Sequence, residues 1–304
     1  MQNRRITFRY LSTLLVLSFG LSNEVFATKN LTPYQKIVQQ LSTLAKTNPK
    51  EVEKFSLGQN DQNLPVEGVK VGDLSAKSPV HHLVVAAHHG NETKSVQLAM
   101  EFISKKISEK NSVIYHVIPV LNISGYNSQN RMEMNKQGSM IDPNRDYPDV
   151  CNKTKPNYKL QSTKLLSNYI KDNSFVGAIT IHGYIGTMTF PWGMFTDTPE
   201  SKDHHQFLEW VQNACTENGY NYGTHAQVIY PAEGSFEDWI YATHGIWTVL
   251  LEMDRFADIS QDVLAMSRYF EQLPKRPSVN NQHLGQCSRG NNFLKGQNRE
   301  LSRP

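Results

Sequence analysis

Apolar residues fall at helical spacing early in the chain. Tyr34, Ile37, Val38, Leu41, Leu44 and Ala45 lie on one helix face. Thr32 and Pro33 supply an N-cap and a first helical residue, and Asn48-Pro49 ends the run. From Leu83 to Ala87 the pattern changes to a short, wholly apolar run, as a strand covered on both faces requires. Val96, Ala99, Met100 and Ile103 then return to helical spacing. The stretches from Val113 to Leu121, Val176 to Ile181 and Ile246 to Leu251 predict three further buried strands. Helical segments fall near 160–170, 207–216 and 258–273. Apolar strands interleaved with helices predict an α/β protein: a single-domain α/β/α sandwich around a mixed, mostly parallel central sheet.

Ligands bind such sheets beyond the carboxyl ends of the strands, so the residues following each run are the first place to look for chemistry. After Leu83–Ala87 come His88, His89, Gly90, Asn91 and Glu92. After Val176–Ile181 comes His182, and after Ile246–Leu251 comes Glu252. The strand ending at Leu121 leads into Asn122 and a loop carrying Arg131, Asp142, Asn144 and Arg145. His89 and Glu92, three apart at a strand-to-helix turn, can reach one ion, and His182 can supply a third ligand from another strand. That is the donor set of a catalytic zinc site, with one position left for water.

These residues resemble the zinc metallocarboxypeptidase family, of the carboxypeptidase A/B type. The resemblance rests on His89-Gly90-Asn91-Glu92, His182-Gly183-Tyr184 and Glu252. It extends through Asn122 with Gly125, Asp142-Pro143-Asn144-Arg145 and Phe190-Pro191-Trp192-Gly193. Ile229-Tyr230, Gly234-Ser235 and Asp238-Trp239 complete it, with Tyr230 standing 22 residues before Glu252. The stretch from Tyr34 to Gly72 looks like the family's opening helix and strand, so the likeness runs from Thr32 to about Leu273.

The resemblance implies roles. His89, Glu92 and His182 would hold one Zn2+ per chain, and Glu252 would be the general base. Asn144 and Arg145 would grip the substrate's terminal carboxylate, to which a guanidinium is matched. Tyr230 would close over the substrate. The family also places an arginine beside the zinc; here the alignment puts Met134 or Glu133 at that place, and Arg131 is the nearest arginine. Glu237 occupies the family's position at the base of the side-chain pocket, where a carboxylate favours a terminal Lys, Arg or diaminopimelate amine. Glu237 could instead serve only the positive end of a helix capped by Ser235. His204, His205 and His244 are expected to be structural, with His81 and His82 facing solvent ahead of their strand and His88 supporting its neighbour.

Composition narrows the setting. The chain has 304 residues, of which 38% are hydrophobic and 19% charged, enough apolar material for a sizeable core. Arg4, Arg5 and Arg9 precede an apolar run from Tyr10 to Leu21, followed by a small-residue site at Val25 and Ala27. This predicts a signal peptide over 1–27 and export, to a bacterial periplasm or the medium. Without it the net charge of +3 falls to +1, 28 basic against 27 acidic residues. Near-neutrality and the lack of a basic block argue against nucleic acid, and no membrane span is expected after leader removal. The catalytic domain is expected over 28–277, with a polar tail over 278–304. Cys151, Cys215 and Cys287 are odd in number and more than 60 residues apart, so they are no thiolate metal site. A monomer is expected, acting on a peptide, or on a muropeptide at the D-glutamyl–diaminopimelate bond. A non-catalytic binding module on the same fold is the third reading.

Overall fold

The computed structural model describes residues 30–109, 112–194 and 201–282. The leader at 1–27 and positions 283–304 of the expected tail lie outside them. From Thr32 onward the chain forms one compact unit. It opens with α1 (Pro33–Thr47), whose capping box is complete: Gln35 N donates to Thr32 Oγ1 at 3.2 Å, and Thr32 N donates to Gln35 Oε1 at 2.9 Å. Then follow β1 (Val52–Gln59), β2 (Pro65–Gly72), β3 (Val80–Ala86), α2 (Thr93–Ile107) and β4 (Val113–Ile118). A long excursion carries α3 (Ile123–Ser128), the two-residue strands β5 (Glu133–Met134) and β6 (Met140–Ile141), and a 3-10 turn at Pro143–Arg145. The chain returns through α4 (Gln161–Lys171), β7 (Phe175–Gly183) and β8 (Thr187–Phe190). It finishes with α5 (His204–Cys215), β9 (Asn221–Thr224), α6 (His225–Val228), α7 (Phe236–His244), β10 (Trp247–Met253) and α8 (Ile259–Gln272).

Eight strands form one sheet in the order β1-β2-β4-β3-β7-β10-β8-β9. The four central strands, β4, β3, β7 and β10, are parallel. The hairpin β1–β2 joins β4 antiparallel at one edge, and β8 joins β10 antiparallel at the other. The mixed, mostly parallel sheet read from the sequence is therefore present. One face packs against α2, α5 and α8 through residues such as Phe102, Phe207, Val249 and Tyr269. The other packs against α4 and α7 through Ala178, Leu166, Phe236 and Ile240. Val84, Val85, Ile179 and Val249 are fully buried, each contributing about 1.5–3 kcal/mol of apolar burial. This core fixes the central strands, and with them the positions of the residues at their carboxyl ends. Among the described residues no helix is long and apolar enough to cross a membrane.

Some local expectations are corrected. β3 begins at Val80, so His81 and His82 lie inside the strand rather than ahead of it. His82 is buried and stacked on Phe270 at 4.6 Å, and burial drives its pKa down to about 3. His81 packs on His116, with ring nitrogens 2.9 Å apart. The start of the expected tail is also tied to the body. Ser278 N donates to Gly245 O at 2.7 Å, and Asn281 Nδ2 donates to Tyr241 O and Ala242 O. Cys151 is disulfide-bonded, whereas Cys215 is a free, buried thiol on α5.

Candidate metal centre and active site

The turn after β3 is held by contacts that only small residues allow. A Cβ on Gly90 would stand 2.0 Å from the carbonyl carbon of Gly125, so the two glycines bring the turn against α3. Asn122 clamps the same junction. Its Nδ2 donates to His88 O at 3.2 Å and Arg131 O at 3.1 Å, while its Oδ1 accepts from Gly125 N at 2.7 Å. Glu92 sits at the N-cap of α2, yet its side chain makes no capping hydrogen bond. Instead the carboxylate turns to the sheet, with Oε1 2.7 Å from His89 Nδ1 and Oε2 3.0 Å from His182 Nδ1.

His182 is the penultimate residue of β7 and fully buried. Its Nδ1 lies 3.1 Å from His89 Nδ1. One donor atom each from His89, Glu92 and His182 lie within 4.8 Å of one another, and all three residues are buried. Two imidazoles and a carboxylate converging through lone-pair atoms fit a zinc ion. The electrostatics agree: burial alone would lower the pKa of His182, but Glu92 raises it to about 9, so the site attracts positive charge.

Outer partners orient these groups. His89 Nε2 is 3.1 Å from Asp142 Oδ1, which leaves Nδ1 for the centre. Asp142 Oδ2 accepts from Arg131 Nη2 at 3.0 Å and Nε at 3.2 Å. Burial opposes ionisation of Asp142, but His89, Arg131 and Arg145 outweigh it and hold the carboxyl well below its usual range. Arg131 also reaches the centre itself, with Nη1 3.2 Å from His89 Nδ1 and 3.8 Å from Glu92 Oε1. Neither alternative at its alignment position does so. Met134 is exposed, and Glu133 is buried with Oε2 accepting from Ser162 Oγ at 2.6 Å. His88 supports from behind, with Nε2 3.0 Å from Tyr147 OH and its ring stacked on His182.

Register places Glu252 beside the centre. In the sheet it stands level with His182 on β7 and Thr187 on β8. It is buried, Oε2 has no hydrogen-bond partner among the described residues, and burial raises its pKa above the usual carboxylate value. An unpartnered, reluctantly ionised carboxylate is suited to accepting a proton.

Arg145 and Tyr230 meet at the rim. Arg145 Nη2 donates to Tyr230 OH at 3.3 Å, and its guanidinium lies 5.7 Å from the ring centre. Tyr230 is 45% exposed, so it has room to move. Asn144 faces inward instead. Its Oδ1 accepts from Phe236 N at 2.8 Å and its Nδ2 donates to Glu237 Oε2 at 3.3 Å. Glu237 is buried, and its other oxygen accepts from Thr180 Oγ1. It therefore does more than face the helix end: its side chain points into the sheet beneath Asn144. The hydrogen bond from Asp238 N to Ser235 Oγ, at 3.3 Å, caps α7 independently.

The sequence of the zinc carboxypeptidase family matches residues 37–274. The chain belongs to that family. Its members use zinc, and the His89–Glu92–His182 cluster is able to bind it. Rat carboxypeptidase B is 25% identical over 245 residues, covering 67% of this chain and 58% of the relative. The chain thus spans about three-fifths of that relative's length. Bovine thrombin-activatable fibrinolysis inhibitor, solved in complex with tick carboxypeptidase inhibitor, shares the fold with a TM-score of 0.68 at 16% identity, over 78% of this chain and 95% of that one. Murein-tripeptide amidase MpaA from Escherichia coli O157 superposes with a TM-score of 0.52 at 16% identity, over 72% of this chain and 91% of that one.

Sequence reasoning assigned no role to Asp142, although it stands two residues before Asn144 in the Asp-Pro-Asn-Arg element. Nothing in the local pattern announces its bond to His89, 53 positions away. His225 was also passed over, since nothing in its local pattern announces burial.

Proposed function

We propose that this zinc carboxypeptidase relative is an exported hydrolase that removes the C-terminal residue of peptides, preferring one that carries an amine. What supports this most directly is the buried His89–Glu92–His182 cluster with Glu252 level with it across the sheet. Zinc, when bound, acidifies a water and polarises the scissile carbonyl. His89, Glu92 and His182 hold the ion, with Asp142 fixing the His89 ring. Glu252 takes the water's proton and delivers it to the leaving amine. Arg131, next to His89 Nδ1, donates to the carbonyl oxygen as negative charge gathers there.

Arg145 receives the substrate's terminal carboxylate in a two-pronged way. Tyr230 then leaves Arg145 and covers the bound residue. Glu237 accepts the side-chain amine, which displaces Asn144 Nδ2 and frees it to join Arg145 on the carboxylate. The same pocket favours a second reading, hydrolysis of the D-glutamyl–diaminopimelate bond of muropeptides, because the buried Glu237 suits that residue's free amine. In either case the enzyme acts as a monomer outside the cytoplasm.

Glu252→Gln tests the mechanism: it should retain about one zinc per chain while turnover falls by three orders of magnitude or more. A Gln variant with unchanged turnover would remove Glu252 from the mechanism. Side-by-side hydrolysis of a Lys-ended peptide and a diaminopimelate-ended muropeptide decides between the two substrates.

A further inference from the structure

Two threonines flank Leu250, one residue pair below the row that carries Glu252. Thr180 on β7 and Thr189 on β8 each stand level with Leu250 on β10. His182, Glu252 and Thr187 form the next row on the same face, since side chains two apart along a strand share a face. Across two strand spacings the threonines are about 10 Å apart. Each holds one polar side chain. Thr180 Oγ1 donates to Glu237 Oε1, and Thr189 Oγ1 lies 3.2 Å from His225 Nδ1.

His225 is at least nine-tenths buried, and its Nε2 has no hydrogen-bond partner among the described residues. Burial, then the charges of Arg145 and His182, bring its pKa down to about 3, so the ring is neutral near pH 7. The Thr189 hydroxyl proton has no other acceptor among the described hydrogen bonds, so Thr189 donates to Nδ1. Nε2 then carries the ring's proton and is a donor without an acceptor. A buried donor left this way costs about 1–3 kcal/mol. The ring lies against Tyr230, with centroids 5.8 Å apart, and Tyr230 in turn touches Arg145. It also lies against Gly193, where a Cβ would come within 3.3 Å of it.

We propose that His225 is a specificity-determining residue: its Nε2–H binds an acceptor oxygen on the side chain of the terminal residue, opposite the amine bound by Glu237. The side chain that satisfies both ends carries an ammonium and a carboxylate together, as diaminopimelate does and lysine does not. This rests on the carboxypeptidase reading above and narrows its substrate. Two facing arms, an acceptor and a donor, discriminate more sharply than either alone, because a substrate lacking one partner leaves a buried group unpaired.

The test uses zinc-loaded full chain and matched peptides ending in lysine or meso-diaminopimelate. Wild type should favour the diaminopimelate substrate at least tenfold in kcat/KM. His225→Leu should lower that value at least tenfold and leave the lysine substrate within about twofold. His225→Gln, which places an N–H close to Nε2, should restore most of the loss, and Thr189→Val should lose selectivity without removing the ring. An equal effect of His225→Leu on both substrates, or on neither, overturns the inference. Should wild type hydrolyse neither peptide, the functional reading fails, and calorimetry still decides this inference. Free diaminopimelate must then bind wild type at least tenfold more tightly than it binds His225→Leu, with lysine unaffected; equal binding overturns it.

Discussion

Asp142 fixes the orientation of His89: the carboxylate Oδ1 lies 3.1 Å from His89 Nε2, leaving Nδ1 to face Glu92 and His182. The same carboxylate holds Arg131 through its second oxygen. One side chain thus orients both a candidate zinc ligand and the cation expected to meet the substrate's oxygen.

Asp142→Asn should weaken zinc binding by about 10–100-fold, because a neutral acceptor supports the imidazole less and no longer offsets the Arg131 charge. Competition against a chelating dye measures this. Unchanged affinity would mean that packing alone holds His89.

Replacing Arg131 separates charge stabilisation from metal binding. Arg131→Lys should keep about one zinc per chain and lower kcat by about 10²–10³, with KM within about threefold. A rise in KM at constant kcat would instead give Arg131 a role in ground-state binding.

Glu133 makes stability depend on pH. Burial raises its pKa from 4.5 to about 8, although Ser162 opposes this. Between those values the folded chain keeps a proton that the unfolded chain has lost, so stability falls as pH rises through the window. Below pH 4.5 both states are protonated and the penalty is absent. Glu133→Gln has no such proton to lose. Its Tm relative to wild type should therefore climb on going from pH 4.5 to 8, on the order of 10 °C in total. A pH-independent difference would show that Glu133 is ionised in the fold.

The central strands were legible because both their faces are buried, which forces near-continuous apolar runs such as Leu83 to Ala87 and Val176 to Ile181. Their carboxyl ends therefore pointed to His89, His182 and Glu252. The edge hairpin β1–β2 was less legible, since β1 is mostly half-buried or exposed and the pair admits Glu53, Lys54 and Lys70. Predicted strand ends also drifted. Val120 and Leu121 are apolar and buried, but Pro119 follows the last strand residue, Ile118, and cannot donate to a ladder. The polar pairings were not legible at all. Glu237 meeting Thr180, and His225 meeting Thr189, are separated by 57 and 36 positions, and only the assembled sheet brings them together.

Metal content tests the central claim most directly. Wild type should carry about one zinc per chain by elemental analysis after dialysis, and His182→Ala and Glu92→Ala should each lose nearly all of it while remaining folded by circular dichroism. Folded variants that keep one zinc per chain would show that the ion, and the chemistry built on it, belongs elsewhere.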